Sequence, residues 1–154
     1  MGGSKAAHGR PTPREVIDYM AKRNAVFRLL DIEVLEAERG HSKFAMVVRP
    51  DLTNTFDTLH GGMIFALADM TFGFTCNAHN ERAVTAGATI EMLHSPKVGD
   101  RVISEAREVY RKGRNSLVDV TLWIDHGPDE PGTIVAQVRG RMRLIGGHLI
   151  ERPA

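Results

Sequence analysis

One stretch constrains this 154-residue chain more than any other: Met63-Ile64-Phe65-Ala66-Leu67-Ala68-Asp69-Met70-Thr71-Phe72-Gly73-Phe74 is apolar almost all round. A helix with no polar face to leave in water is buried, so the rest of the chain has to enclose it. The helix is predicted to open at His60-Gly61-Gly62 and to run from Gly61 to about His79. Asp69 sits in its middle, too far along to cap it. Aspartate is a poor helix-interior residue and costly to bury without partners. It therefore either pairs or lines a wet crevice, as structural carboxylates commonly do, or it is kept for chemistry.

The flanking segments read as the enclosure. Thr12-Pro13-Arg14-Glu15 is a helix start, with a capping threonine, a proline at the first helical position and a glutamate completing a capping box. Val16, Ile17, Met20, Ala21, Val26, Phe27 and Leu30 follow at helical spacing. Glu33 to Ala37 and Lys43 to Arg49 read as strands joined near Arg39-Gly40, and Pro50 to Leu59 as a polar loop. After the long helix come strands over Val84–His94, Arg101–Arg111, Ser116–Asp125 and Thr133–Ile145, separated by clear turn signals. Val118, Val120, Leu122 and Ile124 alternate with polar residues; Ile134, Ala136, Val138, Met142 and Leu144 alternate with Gln137, Arg139, Arg141 and Arg143. Such alternation marks an antiparallel sheet with one buried face. The expected fold is α+β, with the sheet wrapped around the apolar helix.

Length and composition narrow the partners. The chain suits one domain, expected over 12–150, behind a disordered tail at 1–11 that has no apolar signal segment. With a net charge of +1 and no apolar run of roughly 18 residues, neither nucleic acid nor a membrane is an expected partner. The single cysteine, Cys76, suits a reducing compartment, and a cytoplasmic location is expected. Cys76 reads as a core thiol. The seven histidines show no paired ligand spacing, so neither a metal nor a cofactor is expected.

The helix start has chemistry of its own. Uncapped amides at Gly61 and Gly62 and the positive end of the helix dipole favour an anion or a polarised carbonyl oxygen, and glycines allow close approach. A carboxylate plus an oxyanion donor are two parts that acyl transfer needs. Gly61 and Asp69 are eight residues apart, about 12 Å along a helix. One acyl carbon cannot touch both, so a shared site requires a symmetric dimer in which the two residues come from different chains. Gly62, Ala66, Asp69 and Gly73 lie on one small-residue stripe that permits close approach.

His60-Gly61-Gly62-Met63-Ile64-Phe65-Ala66-Leu67-Ala68-Asp69, with Phe72 and Cys76-Asn77, resembles the signature of the phenylacetate-pathway (PaaI-type) hotdog thioesterases. The resemblance continues through Ala83-Val84, Thr89 to Leu93, the Pro96–Asp100 turn, Arg111 to Arg114, Arg139-Gly140 and Ile145-Gly146-Gly147. It implies a hotdog fold and hydrolysis of an acyl-CoA thioester with an aryl or medium-chain acyl group; the expected assembly is a homodimer paired into a dimer of dimers. It implies Asp69 as nucleophile or general base and the Gly61 amide as carbonyl donor, with His60 and Asn54 holding thioester and water. The chain departs from the pattern after the helix, where a serine is common: Ala86 stands there, with Thr85 beside it as the available hydroxyl.

Gly62, Thr85 and Ala86 are thus expected to line the substrate. Arg111, Lys112, Gly113 and Arg114 form a basic hairpin turn, either solvated or set to meet the CoA phosphates. Arg139, Arg141 and Arg143 read as a solvated sheet face. Phe65, Phe72 and Phe74 read first as core. Two competing functions are a hotdog dehydratase or hydratase and a non-catalytic acyl-CoA sensor. The first wants a histidine and an acid facing one substrate, whereas His60 precedes the helix. The second leaves the acid at position 69 without a chemical purpose.

Overall fold

A computed structural model describes residues 9–151. Six strands form one antiparallel sheet: β1 (Glu33–Glu38), β2 (His41–Val47), β3 (Ala83–Met92), β4 (Arg101–Lys112), β5 (Asn115–Ile124) and β6 (Thr133–Leu144). Their spatial order is β1-β2-β4-β5-β6-β3, so β1 and β3 are the two edges. Helices α1 (Pro13–Arg23), α2 (Ala25–Leu29) and α3 (Gly61–Asn77) complete the chain. α3 packs on β2, β3, β4, β5 and β6, with Leu67, Ala68 and Phe72 fully buried. This is the hotdog arrangement that the apolar helix demanded.

Hydroxyls fix α3 on the sheet without leaving polar atoms unsatisfied. Thr71 and Ser104 meet at 2.7 Å, Thr75 meets Ser42, and both threonines donate to carbonyls one turn back. All four are fully buried, where such groups must be paired. On the same face of the sheet Gly140 leaves room for the Phe72 ring, which a Cβ there would approach to 2.5 Å.

The N-terminal apolar run is two helices. Thr12 and Glu15 make the expected capping box. Asn24 then leaves helical geometry (φ −90°, ψ 107°), and its side-chain oxygen accepts from the Phe27 amide at 2.9 Å, capping α2. The break turns Phe27 inward, stacked on Phe74 at 5.2 Å and edge-on to Phe44 at 5.9 Å, and leaves Val26 exposed. Of the segment 1–11 read as a disordered tail, residues 1–8 lie outside the described residues. Pro11 is buried, and Arg10 donates to the His79 carbonyl at 2.7 Å.

In β6 the expected parity fails at one end. Leu122 pairs with Ala136 but Trp123 with Ile134, so Val135 is a bulge residue. Val135 and Ala136 are therefore both buried, whereas Ile134, expected inside, is 40% exposed. A one-residue insertion of this kind exchanges the faces of a strand.

Candidate active site

α3 begins with His60 as its cap. The imidazole Nδ1 accepts from the Gly62 amide at 2.9 Å, and the His60 carbonyl takes the amides of Met63 and Ile64 at 2.8 and 3.1 Å. Of the first-turn donors, only the Gly61 amide then has no acceptor among the described residues. The tautomer that lets Nδ1 accept leaves the proton on Nε2, so His60 presents an N–H donor from an exposed ring. Gly61 lies under the end of β3: a Cβ there would stand 3.2 Å from Met92 Sδ.

Asn54 organises the loop that leads into this turn. Its Oδ1 accepts from the Phe56 amide (2.9 Å), the Thr58 amide (3.3 Å) and the Thr58 hydroxyl (3.2 Å). This is an Asx turn. The side-chain carbonyl is spent on the loop, and Nδ2 is the end of Asn54 that remains for a ligand.

Asp69 is half-buried two turns into α3, and Thr85 Oγ1 donates to its Oδ1 at 2.8 Å. β3 runs back along α3, so Ala83 bonds Asn77, Thr85 meets Asp69 and Met92 covers Gly61. Ala86 does not share the site in the way expected. It is the extra residue of a β-bulge between Thr85 and Gly87, it is exposed, and its carbonyl accepts from Arg141 Nη2 at 2.8 Å. Thr85, one residue earlier, supplies the hydroxyl.

Beside Asp69 lies a cavity of about 210 Å³. It is lined by Met20 of α1 and Asn24, by Gly73 and Phe74 of α3, and by Thr85 and Met142 of the sheet. Sequence reasoning missed the contribution of α1. Its only signal was an asparagine interrupting a helical run, and what that break faces is decided by tertiary packing.

The basic turn divides in two. Arg111, expected at the substrate, is committed inside the protein: it donates to Glu81 Oε2 (2.8 Å), Glu108 Oε2 (3.0 Å) and Cys76 Sγ (3.6 Å). Its side chain is 21% exposed. Glu108 also accepts from His79 (2.9 Å) and Ser116 (2.6 Å). Burial pushes the Glu108 carboxyl up, but these hydrogen bonds and the Arg111 charge outweigh it and hold the group below the usual range. Burial pushes the Cys76 thiol up, as befits a core residue. Lys112, Gly113 and Arg114 are exposed. Gly113 and Arg114 border a cleft of about 310 Å³ with Arg82, Gly146, Gly147 and His148.

Among the described residues no cluster of three or more His, Cys, Asp or Glu side chains is arranged to hold a metal. No helix there is long and apolar enough to cross a membrane.

A family model described as the thioesterase superfamily matches residues 56–130, from the loop before α3 to the turn after β5. An Archaeoglobus fulgidus protein classed with the esterases is 37% identical over 94 residues, and the match spans 61% of this chain and 61% of that protein. The acyl-coenzyme A thioesterase PaaI of Escherichia coli is 27% identical over 83% of this chain and 88% of its own length. Its structure superposes with a TM-score of 0.82, covering 88% of this chain and 95% of that one at 25% identity. A Streptococcus mutans protein solved with acetyl-CoA bound superposes at 0.70 with 27% identity, covering 76% and 90% of the two chains. The fold, the helix signature and these relatives agree: the chain has the hotdog fold and is similar to the PaaI-type thioesterases.

Proposed function

We propose that the protein hydrolyses an acyl-CoA thioester to the free acid and CoA. The observation that carries this reading is the pairing of Asp69 with Thr85 beside a cavity, on a helix whose first amide is unspent. Asp69 attacks the thioester carbon or takes a proton from the attacking water. The Gly61 amide receives the developing oxyanion, where a preorganised donor is worth about 3 kcal/mol. The C–S bond then breaks. Where water attacks, the proton held by Asp69 passes to the departing thiolate. Where Asp69 attacks, the thiolate takes a proton from solvent and water hydrolyses the acyl-aspartyl anhydride to the free acid, restoring Asp69. The name of the Escherichia coli relative and the acetyl-CoA in the Streptococcus mutans structure support the substrate class. A free, buried Cys76 suits a reducing, cytoplasmic compartment.

The site is completed by a second copy of the chain. β3 is an edge strand whose only charged residue is Glu91, and its exposed residues include Val84 and Met92. β1, the other edge, carries Glu33, Glu36 and Glu38, charges that protect an edge from pairing. Two β3 strands paired antiparallel about a two-fold near Ala88 would set Thr85 of one copy opposite Met92 of the other. Gly61, which lies under Met92, would then approach the partner's Asp69 across the strands. That relieves the separation of about 12 Å within one helix.

The nucleotide end of CoA is assigned to the cleft of Arg82, Gly113, Arg114 and His148, which has two arginines without an ion pair among the described residues. His60 Nε2 and Asn54 Nδ2 are left to hold thioester and water. Thiol release across acyl-CoAs of graded length tests the whole reading with Asp69→Asn as control. Release at the wild-type rate by that variant refutes it.

A further inference from the structure

We infer that Asn24 determines acyl specificity, its side-chain Nδ2 hydrogen-bonding an acceptor atom on the distal part of a compact acyl group. The inference rests on the thioesterase reading of the Asp69 cavity and deepens it.

Asn24 is held rigidly at the junction of α1 and α2. Its backbone amide donates to the Met20 carbonyl at 2.9 Å, its carbonyl accepts from the Arg28 amide at 3.3 Å, and its Oδ1 accepts from the Phe27 amide at 2.9 Å. Phe27 is itself fixed by stacking on Phe74. Every hydrogen-bonding group of Asn24 is thereby spent except Nδ2, which has no acceptor among the described residues.

The other polar groups around the cavity are already engaged. Thr85 donates to Asp69, while Asn77 donates to the Gly73 and Ala83 carbonyls and accepts from the Ala83 amide. Met20, Phe74 and Met142 make the remaining wall apolar. Nδ2 is therefore an unspent side-chain donor in a pocket of mixed polar and apolar lining, placed to fix one polar group of a ligand.

The pocket has room for a compact acyl group. Its volume is about 210 Å³, and roughly 150 Å³ suffices for a benzene ring. A ring or a short branched chain bearing one acceptor fits beside Asn24. An acyl group of the right size without the acceptor leaves Nδ2 desolvated and unpaired, which costs affinity for the transition state.

The test compares levulinyl-CoA with isocaproyl-CoA, which differ by a carbonyl oxygen in place of a methyl group. Wild-type protein is expected to favour levulinyl-CoA in kcat/KM. Asn24→Asp and Asn24→Ser both keep an oxygen to cap α2; the first has no donor, and the second draws its only donor, a hydroxyl, back from the position of Nδ2. In both, the ratio of the two kcat/KM values is expected to fall about fivefold to tenfold. The ratio within one enzyme cancels any general loss of activity, and thermal melting checks that each variant is folded. An unchanged ratio in folded variants, or no preference in the wild type, overturns the role of Asn24 and leaves the thioesterase reading intact. A wild type that hydrolyses neither ester but releases thiol from other acyl-CoAs overturns the role of Asn24 alone; no release from any acyl-CoA of the graded series overturns both.

Discussion

Thr85 Oγ1 donates to Asp69 Oδ1 at 2.8 Å, joining the middle of the buried helix to the edge strand that runs beside it. The bond fixes which face of the carboxylate is left for chemistry. Thr85→Val keeps the shape and removes the hydroxyl, and it is expected to lower kcat about tenfold with little change in melting temperature. Thiol-release kinetics beside a thermal melt separate the two effects. A variant with wild-type kcat would show that the bond is structural only.

Gly61 is assigned to the partner's Asp69, so dissociation should silence the enzyme. Ala88→Glu sets like charges close together at the proposed two-fold and is expected to yield a folded monomer with thiol release reduced at least a hundredfold. Sedimentation velocity and activity measured over the same dilution series would move together. A monomer with full activity refutes the shared site.

The arginine cleft predicts a split between substrates. Arg114→Ala, alone or with Arg82→Ala, is expected to raise KM for acyl-CoA about tenfold. The matching N-acetylcysteamine thioester lacks the nucleotide, and its KM should stay constant. Equal changes for both substrates would place the nucleotide elsewhere.

Glu108 ties acid stability to the far end of α3. Its folded-state carboxyl titrates below the ordinary value of 4.5, so its contribution is present above that pH and is lost as pH falls below it. Glu108→Gln is expected to destabilise the neutral protein by about 3 kcal/mol, because Arg111 loses a buried partner. The variant's melting temperature should also vary less with pH in that acid window. Melts from neutral to acidic pH check both.

Gly140→Ala would press a methyl group into the Phe72 ring, to 2.5 Å of its nearest atom. Overpacking of this kind costs about 1–3 kcal/mol, and a melting temperature lowered by several degrees is expected. Activity per folded molecule should persist.

The buried helix, the alternating strands and the glycine-rich helix start were legible because each is a local pattern. Thr71 and Thr75 fit that pattern too, although their partners Ser42 and Ser104 are set by the fold. What the sequence concealed was parity and pairing across distance. The Val135 bulge turned Ile134 outward, against an alternation that predicts the reverse. Arg111 looked like a turn residue, yet Glu81 and Cys76, distant in sequence, claim its guanidinium. Asn24 looked like part of one helix, and only the docking of α1 against α3 brings it to the Asp69 cavity.

The bulge at Ala86 reconciles two contacts that a regular strand could not make together. Side chains alternate along a strand, so Thr85 and Met92, an odd number of residues apart, would otherwise point to opposite faces. The inserted residue restores phase, and both reach α3, Thr85 at Asp69 and Met92 over Gly61. β3 thus works like a ruler with one extra notch, its two marks set to the two chemical positions of the helix. Deleting Ala86 would bring the two marks to six residues apart, in phase along a regular strand with no bulge.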